Sequence, residues 1–231
     1  MADQIAVLSR AISNLENNPL LKSKILKRIP PKNKSFVIGV TGSPGSGKST
    51  LIARLTRVMR QNKKKVAIIA VDPTSPKTGG AFLGDRVRMQ NLTEDPGVFI
   101  RSMASRGAQG GVAKSTKNVA ALFSQAGYDF VLIETVGSGQ LDFEVTKFAS
   151  LTILVLTPES GDEMQLMKAG LRELADLFVI NKSDRPGADK LEEAIKRSSE
   201  KTTPIFKTIA EQNKGIEPLF KHIAKTAHAP K

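Results

Sequence analysis

The 231-residue sequence has no cysteine, no tryptophan, one tyrosine and two histidines. The absence of cysteine removes disulfides, thiol nucleophiles and Cys-based metal sites, and it permits a reducing, cytoplasmic setting. Aromatic residues amount to 5%, too few for a platform on which unpaired bases stack. No apolar run is long enough to span a bilayer, so no membrane association is expected. The N-terminus carries Asp3 and no continuous apolar block, so it does not read as a secretory signal. Acidic residues are scarce as well: 22 Asp and Glu stand against 35 Lys and Arg, a net charge of +13. Such a balance suits nucleic acid, a membrane surface or an acidic partner. The cations are dispersed over 22–34, 54–65, 190–201 and the C-terminal tail. A solvated basic surface combined with phosphate binding is therefore the preferred reading over a nucleic-acid face.

Hydrophobic residues make up 40% of the chain, enough for a sizeable core, and the length suits one large α/β domain with appendages. Ile5, Leu8, Ile12 and Leu15 form one stripe of a helix over 3–17. A short basic helix is expected over 20–29, and Pro30-Pro31 then forces an extended link. Residues 1–34 read as a helical arm packed beside the main domain, which occupies 35–231. Within that domain, strands are expected at 36–41, 65–71, 97–101, 130–133, 152–156 and 177–180, with 203–208 a candidate last one. Helices are expected at 50–61, 83–91, 111–125, 140–149, 163–174, 188–199 and 216–226. Strands apolar on both faces and separated by helices indicate an α/β fold: a mostly parallel central sheet flanked by helices. Ligands of such sheets bind at the carboxyl ends of the strands.

The most informative stretch is Gly42-Ser43-Pro44-Gly45-Ser46-Gly47-Lys48-Ser49. It satisfies every fixed position of G-x-x-x-x-G-K-S/T, between an apolar strand and a helix. The alternative, a plain glycine turn, does not account for all eight positions. Glycines let the backbone approach a ligand, successive N–H groups point at an anion, and a helix N-terminus favours negative charge. Lys48 is expected to reach the β- and γ-phosphates of a nucleotide, and the Ser49 hydroxyl to ligate Mg²⁺, with Thr50 completing the loop.

Asn181-Lys182-Ser183-Asp184 follows another apolar strand and fits N-K-x-D. A carboxylate at Asp184 can accept from both the ring N–H and the 2-amino group of guanine. Adenine offers neither, and a buried carboxylate left unpaired is costly, so the site is expected to reject ATP. Asn181 braces the loop and meets the far edge of the base, and the stem of Lys182 covers base and ribose. Alone, the tetrapeptide is a weak signal; downstream of a phosphate loop it becomes a strong one.

Glu134-Thr135-Val136-Gly137-Ser138-Gly139-Gln140 also follows a strand. A carboxylate at that place holds Mg²⁺ or its water, and Gly137 would give an N–H to the γ-phosphate. Asp72 closes a further strand, and Asp85 follows at a short distance; both are candidates for contact with Mg²⁺. A capping or turn role is the alternative for Asp72.

Taken together, the strings at 39–50, 71–80, 83–86, 134–140 and 181–184 resemble those of the MeaB/ArgK-type GTPases of the SIMIBI class. These are chaperones of adenosylcobalamin-dependent acyl-CoA mutases such as methylmalonyl-CoA mutase. Leu8 to Glu16 is similar to that family's N-terminal arm. The resemblance implies hydrolysis of GTP to GDP with Mg²⁺, stimulated by a mutase partner, and a role in protecting the mutase and gating its cobalamin loading. It places 42–50 on the phosphates, with Lys48, Asp85 and Glu134 in catalytic positions. Ser49, Asp72, Asp85 and Glu134 fall at the metal, and Asn181, Lys182 and Asp184 at the guanine. Residues 161–168 fall on the segment that senses the mutase. Ile209-Ala210 falls on the last guanine loop. Ile209 stands where serine is usual, which leaves the Ala210 N–H for the guanine carbonyl. Leu141-Asp142 stands where Ser-Glu is more usual. The chain ends at Lys231, where the family continues into a C-terminal dimerisation arm, so that arm is expected to be missing and a homodimer is in question. Two other functions fit the sequence less well. A metallochaperone GTPase needs a Cys/His relay, and the only histidines are His222 and His228 near the tail. A transport-linked ATPase is disfavoured by Asp184.

Overall fold

A computed structural model describes residues 2–17, 34–72, 89, 92–104, 111–135, 140–159, 175–198 and 203–229. The expected helices over 20–29 and 163–174 lie outside the described residues, as do the 161–168 segment and all of the helix expected over 83–91 except Met89. Seven strands form one sheet: β1 (Phe36–Thr41), β2 (Val66–Asp72), β3 (Val98–Ala104), β4 (Phe130–Glu134), β5 (Leu151–Leu156), β6 (Leu177–Ile180) and β7 (Ile205–Lys207). The described helices are α1 (Ala2–Asn17), α2 (Lys48–Gln61), α3 (Gly111–Gln125), α4 (Gln140–Thr146), α5 (Ala188–Ser198) and α6 (Ile216–His228), with a 3₁₀ turn at Ala210–Gln212. The strand order is β3-β2-β4-β1-β5-β6-β7. Every pairing is parallel, with Phe36 against Phe130 and Ile38 against Leu151 fixing the register of the central strand. The chain runs from β1 outward to β3, returns through β4, and crosses β1 to build the other half. That reversal beside β1 is where open α/β sheets carry their ligands.

Both faces of the sheet are covered, as the doubly apolar strands require. Alternate residues of a strand point to opposite faces. Val66 and Ile68 accordingly join Ile38, Val40 and Ile153 under α2 and α6, through Leu51, Leu55, Met59, Leu219 and Ile223. Ala67, Ile69 and Val71 face the other way, against Val119, Leu122 and Phe123 of α3 and Val145 of α4. The first helix belongs to this second layer: Leu8, Ile12 and Leu15 are buried in it, and Arg101 of β3 donates to Ser13 Oγ at 3.2 Å. A smaller cluster joins Leu154, Leu156, Phe178 and Ile180 to Ala188 and Ile195 of α5.

Several boundaries differ from the sequence expectation. The strand expected to stop at 101 continues to Ala104, because β2 offers partners as far as Asp72. The helix expected to reach 149 ends at Thr146, whose hydroxyl donates to Phe143 O at 2.7 Å, and the backbone then turns through Ala149 N–H to Val145 O. Local hydroxyl bonds of this kind compete with helix propagation. The last strand shrinks to 205–207.

One polar seam locks the far end of α2. The Arg60 Nε donates to both oxygens of Asp95 at 3.0 Å, and its Nη1 to Lys64 O at 2.7 Å. Asp95 also accepts from the Gly97 N–H at 2.7 Å. The Arg60 hydrogen bond, helped by the Gly97 N–H and the guanidinium charge, holds the Asp95 carboxyl below its ordinary value despite partial burial.

Candidate functional site

The end of β1 delivers the chain into the loop 42–47, which needs backbone conformations closed to most side chains. Gly42, Gly45 and Gly47 have φ of 141°, 83° and 89°. At two of them space is the stricter demand. A Cβ on Gly42 would stand 2.1 Å from Val155 O, and one on Gly47 would stand 2.3 Å from Asn181 Nδ2. A Cβ on Gly45 would meet nothing within 4 Å, and Pro44 beside it is exposed. The loop then becomes α2, whose first regular bond is Leu51 N–H to Gly47 O at 2.9 Å.

Lys48 and Ser49 are buried on the first turn of α2. The Lys48 ammonium donates to Gly42 O at 2.8 Å and to Ser43 O at 3.0 Å, which holds it over the loop. The Ser49 hydroxyl donates to Glu134 Oε1 at 2.7 Å. Glu134 reaches it because β4 lies beside β1 in a register that sets Glu134 against Val40. The hydroxyls of Ser43 and Ser46 are buried and make no hydrogen bond. Buried hydroxyls without partners cost free energy unless something meets them. Small-residue backbone, two orphaned hydroxyls and a captive ammonium fit an anion with several oxygens. The Ser49–Glu134 pair supplies hard oxygen donors of the kind Mg²⁺ takes. Among the described residues, no three His, Asp or Glu side chains gather into a metal-binding group. The Asp72 side chain, Asp85 and Gly137 lie outside the described residues.

The second half of the site is carried by the end of β6. Asn181 is 2% exposed, and its amide is committed on both sides. Its Nδ2 donates to Ser46 O at 2.9 Å, while its Oδ1 accepts from Thr208 Oγ1 at 3.0 Å and from the Ala210 N–H at 3.1 Å. Two donors on one atom and a carbonyl on the other fix which way round the amide sits. Lys182, at a left-handed φ of 54°, sends its ammonium to Gly45 O at 2.8 Å. Consecutive carbonyls of the phosphate loop are thus held by consecutive residues of the second loop.

Asn181, Lys182 and Asp184 line a solvent-open cleft of about 410 Å³ with Gly47, Thr50, Ala210 and Gln212. Its floor is set by the 3₁₀ turn, closed by the paired backbone bonds between Ile209 and Lys214 and tied to α2 by Arg54 Nη2 donating to Glu211 O at 3.1 Å.

Two expectations need correction. Asp184 is exposed rather than buried, so any penalty for an unsuitable base must arise when a base covers it. The Ala210 N–H, expected to face a guanine carbonyl, is spent on Asn181 Oδ1. Sequence reasoning did not find Thr208, Arg54 or the hydrogen bonds of Asp142. Thr208 directly precedes the Ile209-Ala210 loop but carries no signal of its own.

The family model described as "Methylmalonyl Co-A mutase-associated GTPase MeaB" matches residues 8–230. A putative GTPase of Pyrococcus abyssi is 44% identical over 226 residues, covering 93% of this chain and 70% of that protein. The mitochondrial methylmalonic aciduria type A homolog of Caenorhabditis elegans is 38% identical over 200 residues, covering 80% of this chain and 50% of that protein. Among solved structures, a LAO/AO transport system kinase superposes with a TM-score of 0.74 at 26% identity, covering 97% of this chain and 74% of that one.

Proposed function

The chain belongs to the MeaB family of GTPases, and from that premise we propose that it couples Mg²⁺-dependent GTP hydrolysis to the care of an adenosylcobalamin-dependent acyl-CoA mutase. The observation that carries the nucleotide half is the direct bond from Asn181 to Ser46 O. It makes the base-reading cleft and the phosphate loop one continuous surface. The mutase half is supported by the family's description and by the name of the Caenorhabditis relative.

In this reading the amides of 42–50 cradle the phosphates, with the Ser43 and Ser46 hydroxyls turned toward them. An arriving triphosphate offers Lys48 charged acceptors in exchange for the Gly42 and Ser43 carbonyls. Water attacks the γ-phosphorus in line, and Lys48 neutralises charge on the β–γ bridge as it breaks. Ser49 and Glu134 would hold Mg²⁺, with Asp72 and Asp85 as further ligands; when bound, the ion neutralises phosphate charge and orients the leaving group. Gly137 would bind the γ-phosphate. Asp184 would accept from the guanine edge, with the Lys182 stem along the base. A base covering Asp184 without the two N–H groups leaves the carboxylate desolvated and unpaired, which disfavours ATP. A nickel or zinc relay is not favoured in a chain with no cysteine and two histidines. Among the described residues no helix is long and apolar enough to cross a membrane.

The test measures GTP turnover with and without candidate cobalamin-dependent mutases, alongside capture of each mutase in GDP and in a non-hydrolysable GTP analogue. Faster turnover and nucleotide-dependent capture are expected. GTP hydrolysis that no mutase alters or binds would remove the chaperone role and leave the GTPase standing.

A further inference from the structure

The first turn of α4 holds a carboxylate that the reading above does not use. Asp142 is 1% exposed. Its Oδ1 accepts from Thr41 Oγ1 at 2.7 Å and also from Thr135 Oγ1. Both threonines are buried. Thr41 is the last residue of β1, directly before Gly42. Thr135 directly follows Glu134, and its N–H donates to Val40 O at 3.2 Å. A second contact seats the same helix: a Cβ on Gly39 would meet Val145 Cγ1 at 3.0 Å, so α4 lies close against β1.

We propose that Asp142 is a positioning residue for hydrolysis: by accepting from Thr41 and Thr135 together, it holds the entrance of the phosphate loop and the Glu134–Ser49 pair in one fixed spacing. The argument runs through the backbone. Thr41 sets where Gly42 and the Ser43 carbonyl stand, and Thr135 sets the direction of Glu134. A hydroxyl donating to an ionised oxygen is among the stronger hydrogen bonds, and in a buried site it constrains both partners. A misplacement of about 1 Å in a site that works by orientation costs on the order of 100-fold in rate. Thr41 and Thr135 hydroxyls could have bonded to the backbone alone, as Thr135 also approaches Val40 O at 3.3 Å. The carboxylate of α4 links the two strand ends across the sheet instead.

The proposal rests on the reading of this chain as a Mg²⁺-dependent GTPase. The experiment separates the two. Wild type, Asp142→Ala and Thr135→Val are compared for kcat and KM with GTP, and for GDP affinity with and without Mg²⁺. In Asp142→Ala, kcat is expected to fall about 10- to 100-fold with KM within threefold. The gain in GDP affinity on adding Mg²⁺ shrinks, while metal-free GDP affinity stays within threefold. Thr135→Val keeps the shape and removes one donor; it shows the same split to a smaller degree, and it decides the matter should Asp142→Ala not fold. Unchanged kcat in a folded variant, or metal-free and Mg²⁺-dependent affinities falling in step, overturns the positioning role. Absence of GTP turnover in wild type would instead overturn the functional reading itself.

Discussion

Asn181 Nδ2 donates to the carbonyl of Ser46 at 2.9 Å, a bond between residues 135 positions apart in the chain. The same side chain gathers Thr208 and Ala210 through its Oδ1. Asn181→Ala would strand three buried polar groups at once. Each stranded group costs about 1–3 kcal/mol. A destabilisation of at least about 2 kcal/mol in urea is expected, together with at least about tenfold weaker binding of both GTP and GDP. Titration calorimetry and equilibrium unfolding check both. Affinities that do not move would show that the two loops are joined by something else.

Lys48→Ala should separate binding site from fold. The ammonium donates to the Gly42 and Ser43 carbonyls at 2.8 Å and 3.0 Å, while its proposed work is on the phosphates. Turnover is expected to drop by about 100-fold or more, with cooperative unfolding and the far-ultraviolet dichroism retained. Full retained turnover would remove the site assignment.

Three glycines of one loop should behave differently. Gly42→Ala drives a Cβ to within 2.1 Å of backbone at Val155, and Gly47→Ala meets the Asn181 amide at 2.3 Å. Backbone cannot move aside cheaply, so Gly42→Ala is expected to cost more than about 3 kcal/mol. Gly45→Ala has open space and only the left-handed φ of 83° to bear, about 1–2 kcal/mol. Urea midpoints of the variants rank them.

The Arg60–Asp95 seam predicts an acid dependence. The folded-state pKa of Asp95 lies below its ordinary value of 3.8, so its contribution is complete above that ordinary value and is lost as pH falls from there through the lower folded-state value. Glu192 is also held low, by hydrogen bonds from Lys196 and Lys207, so the wild-type slope is shared. The difference between wild type and Asp95→Asn isolates the seam. It should be full at pH values well above 3.8 and shrink as pH falls below that value. A difference constant with pH would leave only packing.

The strands were legible because both of their faces are apolar, and the phosphate loop because its glycines are dictated by backbone geometry. The 3₁₀ turn at 210–212 was not. It is fixed by the Ile209–Lys214 bonds and by left-handed φ at Asn213 and Gly215, where a Cβ would meet Lys207 O at 2.1 Å. Those are contacts between loops, and no local periodicity encodes them. Asp142 was visible as an Asp where Glu is more usual in the family it resembles, but its partners at Thr41 and Thr135 come together only once β1 and β4 are adjacent. The Ala210 amide was assigned to a base from its motif position. In the folded chain Asn181 already occupies it.

The placement of β1 has a consequence for how the molecule comes into being. Its two neighbours are β4 and β5, with Phe36 paired to Phe130 and Ile38 to Leu151. On a ribosome the earliest strand therefore waits for most of the polypeptide before it is sandwiched, and distant pairings of this kind slow assembly. Until β5 arrives, Val155 cannot brace Gly42, and nucleotide can rescue only late intermediates, not the nascent N-terminal half.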